Sequence, residues 1–311
     1  MTAAPTPVVE LTVIVVSYNT RELLATCLEA ISSTVHGLSY EIIVVDNASR
    51  DGSAEMVAHQ FPAAKLISNF DNQGFARANN QAIRTSQGRY ILLLNSDAVL
   101  MPGAVQSMVT FMESHPRVGA VGAQLLNPDG TFQASFADFP SIVGELLLLT
   151  KLAKLVYSPN YPSHPYEQSQ DERVVDWVFG ACLMVRRSAV DEVGPLDEDF
   201  FMYAEEADWC HRMRKRGWLV YYLPGAKVIH WWGQSASREP ERRRSQLYRS
   251  KCLYIRKHHG RLIAEAFHLA VQMTSLAKLL LWAMAIITPD HSKRERAMQQ
   301  VRSYATLLRE F

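Results

Sequence analysis

GRYILLLNSDAVL, residues 88–100, decides the fold. Five apolar residues, YILLL (90–94), form the middle of an expected strand RYILLLNSD (89–97), buried on both faces as in a parallel sheet. An open α/β sheet takes its ligand beyond the carboxyl ends of its strands. Asn95, Ser96 and Asp97 therefore emerge from the core where a ligand would sit.

Working outward, the same alternation of β-branched runs and helical patterns covers residues 11–123. LTVIVVS (11–17), EIIVVD (41–46), AKLIS (64–68) and VGAVGA (118–123) are further strands. Helices are expected from a Thr20 cap to about Ser33, from Asp51 to about Phe61, near Phe75–Thr85 and over about Gly103–Ser114. Strands joined by crossovers of this length predict an α/β layer with a mostly parallel sheet. From Asn127 to Arg173 the regularity fails, with NPDG (127–130) as a hairpin turn and SPNYPSHPY (158–166) as an irregular loop. VVDWVFGACLMVRR (174–187) is strand-rich and broken at Gly180, and Ser188 caps a short helix. AEEADWCHRMRKRG (204–217) is helical, and WLVYYLP and AKVIHWW read as two more strands.

With 311 residues, 48% of them apolar and 20% charged, the chain excludes extensive disorder and fibrous architecture. Its four cysteines, Cys27, Cys182, Cys210 and Cys252, include no C-x-x-C pair, which argues against a zinc ribbon or disulfide framework and fits a reducing cytosol. The opening MTAAPTPVVELTV lacks the pattern of a secretion signal. Charge is divided unevenly: residues 230–311 carry 15 Lys and Arg against 6 Asp and Glu, whereas the rest carries 17 against 25. An acidic body thus precedes a basic tail.

Two acidic clusters fall at the same expected rim. Asp46 ends one strand, and DNASRDGS is also a good capping sequence, so an Asx-turn or helix cap is an equal alternative for that segment alone, and a weaker one once a second carboxylate lies at the same rim. Asp97 ends another. A hard divalent cation takes oxygen ligands, and a nucleoside diphosphate completes its shell if the protein supplies a carboxylate and one or two neutral groups. The loop after the first strand, SYNTRE, has no G-x-G-x-x-G, and no Walker A sequence occurs, which disfavours redox dinucleotides and P-loop chemistry.

VIVVSYNT (13–20), EIIVVDNASRDGS (41–53), NQGFARANNQAI (72–83), GRYILLLNSDAVL (88–100), WVFGACLMVRR (177–187), GPLDEDFFMYAEEADWCHRMRKRGW (194–218) and VIHWWGQS (228–235) together resemble the family-2 glycosyltransferases of GT-A fold. Within these the resemblance is to the bacterial rhamnosyltransferase-like members, and it spans about residues 10–236. It implies an α/β GT-A fold with a mostly parallel central sheet and a C-terminal helical extension. The implied catalytic domain covers 1–236, with a nucleotide-binding half at about 10–126 and an acceptor half at about 127–236, followed by a basic amphipathic helical tail over 237–311.

By that resemblance Asp46 contacts the nucleobase or ribose, and Ser17, Tyr18 and Asn19 form the loop under the base. Asn72, Gly74 and Asn79 match a donor-binding loop and helix start, with Arg77 near the diphosphate and Ser96 at the donor rim. Asn95 and Asp97 stand at the D-x-D metal motif with an amide in the first place, so Mg or Mn binding leans on Asp97 and a later ligand. His230 matches that ligand; alternatively it is a packed histidine beside Trp231 and Trp232. The catalytic acid matches Glu206, with Asp208 as second choice, although acids in a first turn also suit the helix dipole. Gly180 and Ala181 allow backbone to approach the sugar, or simply mark a kink.

The implied reaction is an inverting, metal-dependent transfer from a nucleotide sugar, dTDP-L-rhamnose or a relative, to a glycan or polyprenyl-diphosphate-linked acceptor. Processive relatives carry Q-x-x-R-W; here Gln246 and Arg249 are followed by Ser250, which points to a non-processive enzyme. In the tail, LIAEAFHLAVQMTSLAKLLLWAMAIIT (262–288) is apolar but interrupted by Glu265, His268 and Lys278, which predicts a helix lying on an anionic membrane at its cytoplasmic face rather than spanning it. A helical hairpin that packs on the protein or forms a homo-oligomer is the alternative, and no recognition motif for nucleic acid accompanies the charge. The functional rivals are a nucleotidyltransferase, which would want a basic Gly-rich phosphate loop near the first strand, and a non-catalytic sugar-nucleotide-binding or assembly protein.

Overall fold

The computed structural model describes residues 9–150, 152–153, 171–231, 240–288 and 290–311. SPNYPSHPY (158–166) and the segment from Trp232 through Ser235 lie outside them.

Strands β1 (Leu11–Ser17), β2 (Tyr40–Asp46), β3 (Lys65–Ser68) and β4 (Tyr90–Asn95) are parallel neighbours in the order β3-β2-β1-β4. Their register pairs Ser17 with Asp46, Asp46 with Ser68, and Val16 with Asn95. The carboxyl ends of four strands therefore line up in one row. Helices α1 (Arg21–Thr34), α2 (Ser53–Gln60), α3 (Phe75–Thr85) and α4 (Ala104–Ser114) form or follow the crossovers. Leu24, Leu28 and Ile31 of α1 and Met108 and Met112 of α4 are buried in one core with Val13, Val15, Leu92 and Leu94. Each such side chain contributes about 1.5–3 kcal/mol on burial.

The remaining strands are β5 (Ala98–Leu100), β6 (Val118–Leu126), β7 (Phe136–Ala137), β8 (Arg173–Val174), β9 (Trp177–Val178), β10 (Cys182–Arg186) and β11 (Leu219–His230). Beyond β4 the sheet continues β10-β6-β11-β5, with β8 also on β11, making nine strands among the described residues; β7 and β9 form a separate pair. β10 enters antiparallel between β4 and β6, while β6 and β11 are parallel.

Several expectations are corrected. The strand through 89–97 stops at Asn95; Ser96 and Asp97 form a turn into β5, which pairs antiparallel with β11. WLVYYLP and AKVIH are one strand, because the Pro224-Gly225 break is absorbed as a register shift between Leu223 and Lys227. Thr20 makes no side-chain cap, and its hydroxyl instead bonds Ser17 and Ser96. Ser188 caps nothing: helix α6 is Arg187–Val193 with Arg186 at its N-cap. Asp51 does prepare α2, accepting from the Ser53 amide and hydroxyl. NPDG is the expected hairpin turn, closed by Gly130 N–H to Asn127 O.

The chain forms two compact units. The first holds the sheet, α1–α4, α6 and α7 (Glu205–Lys215). The second holds α5 (Ile142–Thr150), Met202–Ala204 and helices α8 (Pro240–His259), α9 (Arg261–Ala285) and α10 (His291–Glu310). α5, expected in the acceptor half, thus clusters with the C-terminal helices. In this second unit Leu149, Ile255, Phe267, Val271, Tyr304 and Leu307 make one apolar core. Lys251 pairs with the buried Glu145 at 2.6 Å, and Lys278 donates to Leu149 O at the end of α5. The lysine that interrupts the apolar run thus satisfies a helix-terminal carbonyl.

Candidate active site

The missed strand β5 assembles the centre of the site. His230 lies opposite Ala98, and Trp231 N–H donates to Asp97 O at 2.9 Å, so the end of β11 is drawn to the turn after β4. Asp97 Oδ1 and His230 Nε2 then stand 3.2 Å apart, both nearly buried. Asn95 Nδ2 lies 3.3 Å from the same Nε2.

Gln133, which the sequence did not single out, fixes this arrangement. Its Oε1 lies 2.6 Å from His230 Nδ1, and its Nε2 donates to Asn127 Oδ1 and His230 O. With the amide nitrogen committed to two acceptors, Oε1 accepts and Nδ1 carries the hydrogen. Nε2 then faces the Asp97 carboxylate and the Asn95 side chain, where the imidazole and carboxylate could hold a cation between them. An imidazole, a carboxylate and the Asn95 amide suit a hard or borderline divalent ion, and among the described residues no third His, Cys, Asp or Glu joins them. The remaining ligands would have to be a substrate's oxygens or water, so the residues fit a metal shared with a diphosphate.

Asp46 ends β2 almost fully buried; one carboxylate oxygen accepts from Ser49 N–H, and the other, Oδ1, has no partner. A buried unpaired acceptor costs about 1–3 kcal/mol, which a ligand donor would recover. Asn19 sits at φ 56° with Oδ1 accepting from Arg50 N–H and its own amide donating to Ser49 Oγ; Tyr18 beside it is half-buried. Ser17, Thr20 and Ser96 form a buried hydroxyl chain at 3.1 and 2.8 Å linking the ends of β1 and β4.

Asn47 is a second residue that the sequence reading passed over. Its side chain accepts from Asn69 and Gln73 N–H and donates to Asn72 Oδ1 and Gly74 O. One buried amide thus holds both ends of the 69–74 loop. Gly74 lies at φ +80°, and a Cβ there would meet Phe201 O at 2.4 Å, so only glycine fits. Asn79 donates back to Phe75 O, and Arg77 pairs at 3.3 Å with Glu198 on the protein surface.

At the start of α7, the Glu206 carboxyl packs by Gly180, whose backbone hydrogen bond reaches it, and its Oε2 is buried without a partner. Burial raises its pKa above the usual carboxylate range. Glu205, more deeply buried, is raised well above that range by desolvation and then by the charge of Glu206. Both carboxyls are thus biased toward their protonated forms, Glu205 the more strongly. Asp208 is occupied differently: Oδ2 receives Arg212 Nε at 2.8 Å, and that guanidinium also binds Val193 O, Gly194 O and Pro195 O. Gly180 and Ala181 join the acid to the Asp97 corner, since Asn95 N–H donates to Ala181 O at 3.0 Å. A Cβ on Gly180 would meet only ordinary contacts of 3.6–3.8 Å, so no protein atom demands glycine there.

Residues 12–194 match the model of glycosyl transferase family 2. An N-acetylglucosaminyl-diphospho-decaprenol L-rhamnosyltransferase of Mycobacterium tuberculosis is 30% identical over 237 residues, 70% of this chain and 75% of its own. The rhamnosyltransferase WbbL of Escherichia coli is 26% identical over 229 residues, 70% and 82% of the two chains. Among solved structures, mannosyltransferase PcManGT from Pyrobaculum calidifontis, in complex with GDP-Man and Mn2+, superposes with a TM-score of 0.58 at 19% identity, covering 97% of this chain and 86% of its own.

Proposed function

The chain belongs to glycosyltransferase family 2, an enzyme of GT-A fold rather than a nucleotidyltransferase or a non-catalytic binder, and from that premise we propose an inverting, metal-dependent, non-processive transfer of L-rhamnose. The donor is dTDP-rhamnose and the acceptor a polyprenyl-diphosphate-linked sugar. The Mycobacterium tuberculosis relative carries such an acceptor and sugar in its name, which supports both choices. Catalysis belongs to the 1–236 region. Cysteines without disulfides support a cytoplasmic setting.

The observation that carries this reading is the meeting of Asp97 and His230 at 3.2 Å, with the backbone of Gly180 and Ala181 leading from that corner to Glu206. Asp46 Oδ1 accepts a hydrogen from the donor's base or ribose, and the loop tied by Asn47 lies under it. Asp97, His230 and Asn95 would hold a divalent ion, which supplies positive charge against the departing diphosphate. Glu206 takes the proton from the acceptor hydroxyl as that oxygen bonds to the anomeric carbon. The sugar–phosphate bond breaks on the opposite face, so the anomeric configuration inverts. Asp208 holds Arg212 and thereby α7, which keeps Glu206 in place.

A thermal-shift panel of nucleotide sugars with and without Mn2+ or Mg2+ tests the donor side. dTDP-rhamnose should raise the melting temperature, and more so with metal; stabilisation by another nucleotide sugar alone would replace the donor. Product stereochemistry then distinguishes inversion from retention.

A further inference from the structure

Within the second unit, α9 turns an apolar surface outward. At about 100° per residue, Leu262, Leu269, Met273, Leu276, Leu280 and Met284 fall within an arc of about 80° on one side of the helix. Ala264, Phe267, Val271 and Ser275 occupy the opposite side and are buried in the core with α5, α8 and α10. The outward six are all more than half exposed, from 51% at Leu276 to 87% at Leu262. Glu265, Gln272 and Lys278 lie outside that arc, so the charges that interrupt the sequence do not interrupt the stripe. A contiguous exposed apolar stripe of this length marks an interaction surface.

Charge identifies the partner. Exposed Arg256, Lys257 and Arg261 stand at the amino end of α9, and exposed Lys293, Arg294 and Arg296 follow its carboxyl end. We propose that α9 docks this protein on an anionic phospholipid bilayer, its apolar stripe sunk among the acyl chains and both basic ends in the headgroup layer. Among the described residues α9 alone is long and apolar enough to cross a membrane. A spanning helix, however, would place its ends on opposite sides, whereas cations at both ends and a protein core along its inner face suit a helix parallel to the surface. The inference rests on the stripe and its flanking charge, and it stands independently of the donor and acceptor assigned above.

The test uses the full chain and sedimentation with vesicles of phosphatidylcholine, with and without phosphatidylglycerol. Binding should require the anionic lipid, weaken in high salt and be released by alkaline carbonate. Met273→Glu with Leu280→Glu should lower the bound fraction at least about tenfold with helicity unchanged. Arg256→Gln with Lys257→Gln and Arg261→Gln, which leaves the apolar stripe unchanged, should remove the preference for anionic vesicles. Equal binding to both vesicle types overturns the charge argument, and resistance to carbonate overturns the parallel placement. Lipid-free dimers that dissociate on Met273→Glu would assign the stripe to a second copy instead.

Discussion

Gln133 Oε1 accepts the Nδ1 hydrogen of His230 at 2.6 Å, and its own amide nitrogen is anchored on Asn127 and on the His230 carbonyl. Ninety-seven residues of separation are closed by one side chain that decides which imidazole nitrogen faces Asp97. Gln133→Ala should weaken Mn2+ binding about 10–100-fold, as loss of a partner behind a metal-binding histidine generally does. Gln133→Glu, which keeps an acceptor, should lose less. Protein-bound Mn2+ followed by electron paramagnetic resonance reads the effect without turnover, and equal affinity in both variants would remove the role.

Asp97→Asn and His230→Ala test the two proposed metal ligands. Asp97→Asn should leave no metal-dependent thermal shift with donor, while His230→Ala should shift the metal titration of activity to higher concentration. An unchanged titration in His230→Ala would return that ring to a packing role.

Glu206→Gln should reduce transfer about 10²–10⁴-fold while donor binding persists, the loss typical of a general base. Asp208→Asn should instead destabilise the protein by about 1–3 kcal/mol, because it removes the buried carboxylate that anchors the partly exposed Arg212 guanidinium. Denaturation curves together with single-turnover rates separate the two; full activity in Glu206→Gln would move the base elsewhere.

Buried carboxyls near α7 also set a pH dependence. Glu205 and Glu206 both titrate higher folded than unfolded. Their stability is therefore fully present below the unfolded glutamate pKa and is lost as pH rises through the raised folded values. Glu205→Gln, removing the deeper of the two, should raise stability at neutral pH and flatten its decline between acid and neutral buffers in chemical denaturation. A variant less stable than wild type at neutral pH would show that Glu205 is ionised and paired. Activity should fall as pH drops through the raised Glu206 value.

Gly74→Ala should cost about 3 kcal/mol or more, since it combines a left-handed backbone with a Cβ at 2.4 Å from Phe201 O. Gly180→Ala should leave stability within about 1 kcal/mol, because its neighbours leave room, yet impair transfer if a sugar passes there. Melting curves of the pair, measured with initial rates, check both.

Most of the sheet was legible because strands buried on both faces write themselves as apolar runs. β1 falls on LTVIVVS residue for residue, and Asp46 ends β2 as expected. Non-local pairing was not legible. Ala98–Leu100 is three residues without a turn signal of its own, and it counts as a strand because β11 lies beside it. Pro224 and Gly225 read as a break, whereas the parallel partner β6 carries the ladder across the bulge. Gln133 is one amide in an irregular stretch, and Asn47 sits in a sequence that capping alone explains. Their importance comes from what folding places around them. The contacts of Arg77 with Glu198 and of Asn79 with Phe75 O were likewise not legible from their motif positions.

Among the described residues β11 is the last strand, yet it lies inside the sheet between β6 and β5. A nascent chain emerging from the ribosome can pair β1 through β4 early, but the far half of the layer has an unfilled slot until residue 230 is out. Asp97 and His230 consequently meet only once residue 230 is in place, and a prematurely terminated product would carry β1 to β4 without that pairing. Pairings of such long sequence separation also slow folding, so β11 is the strand whose weakening should delay maturation most.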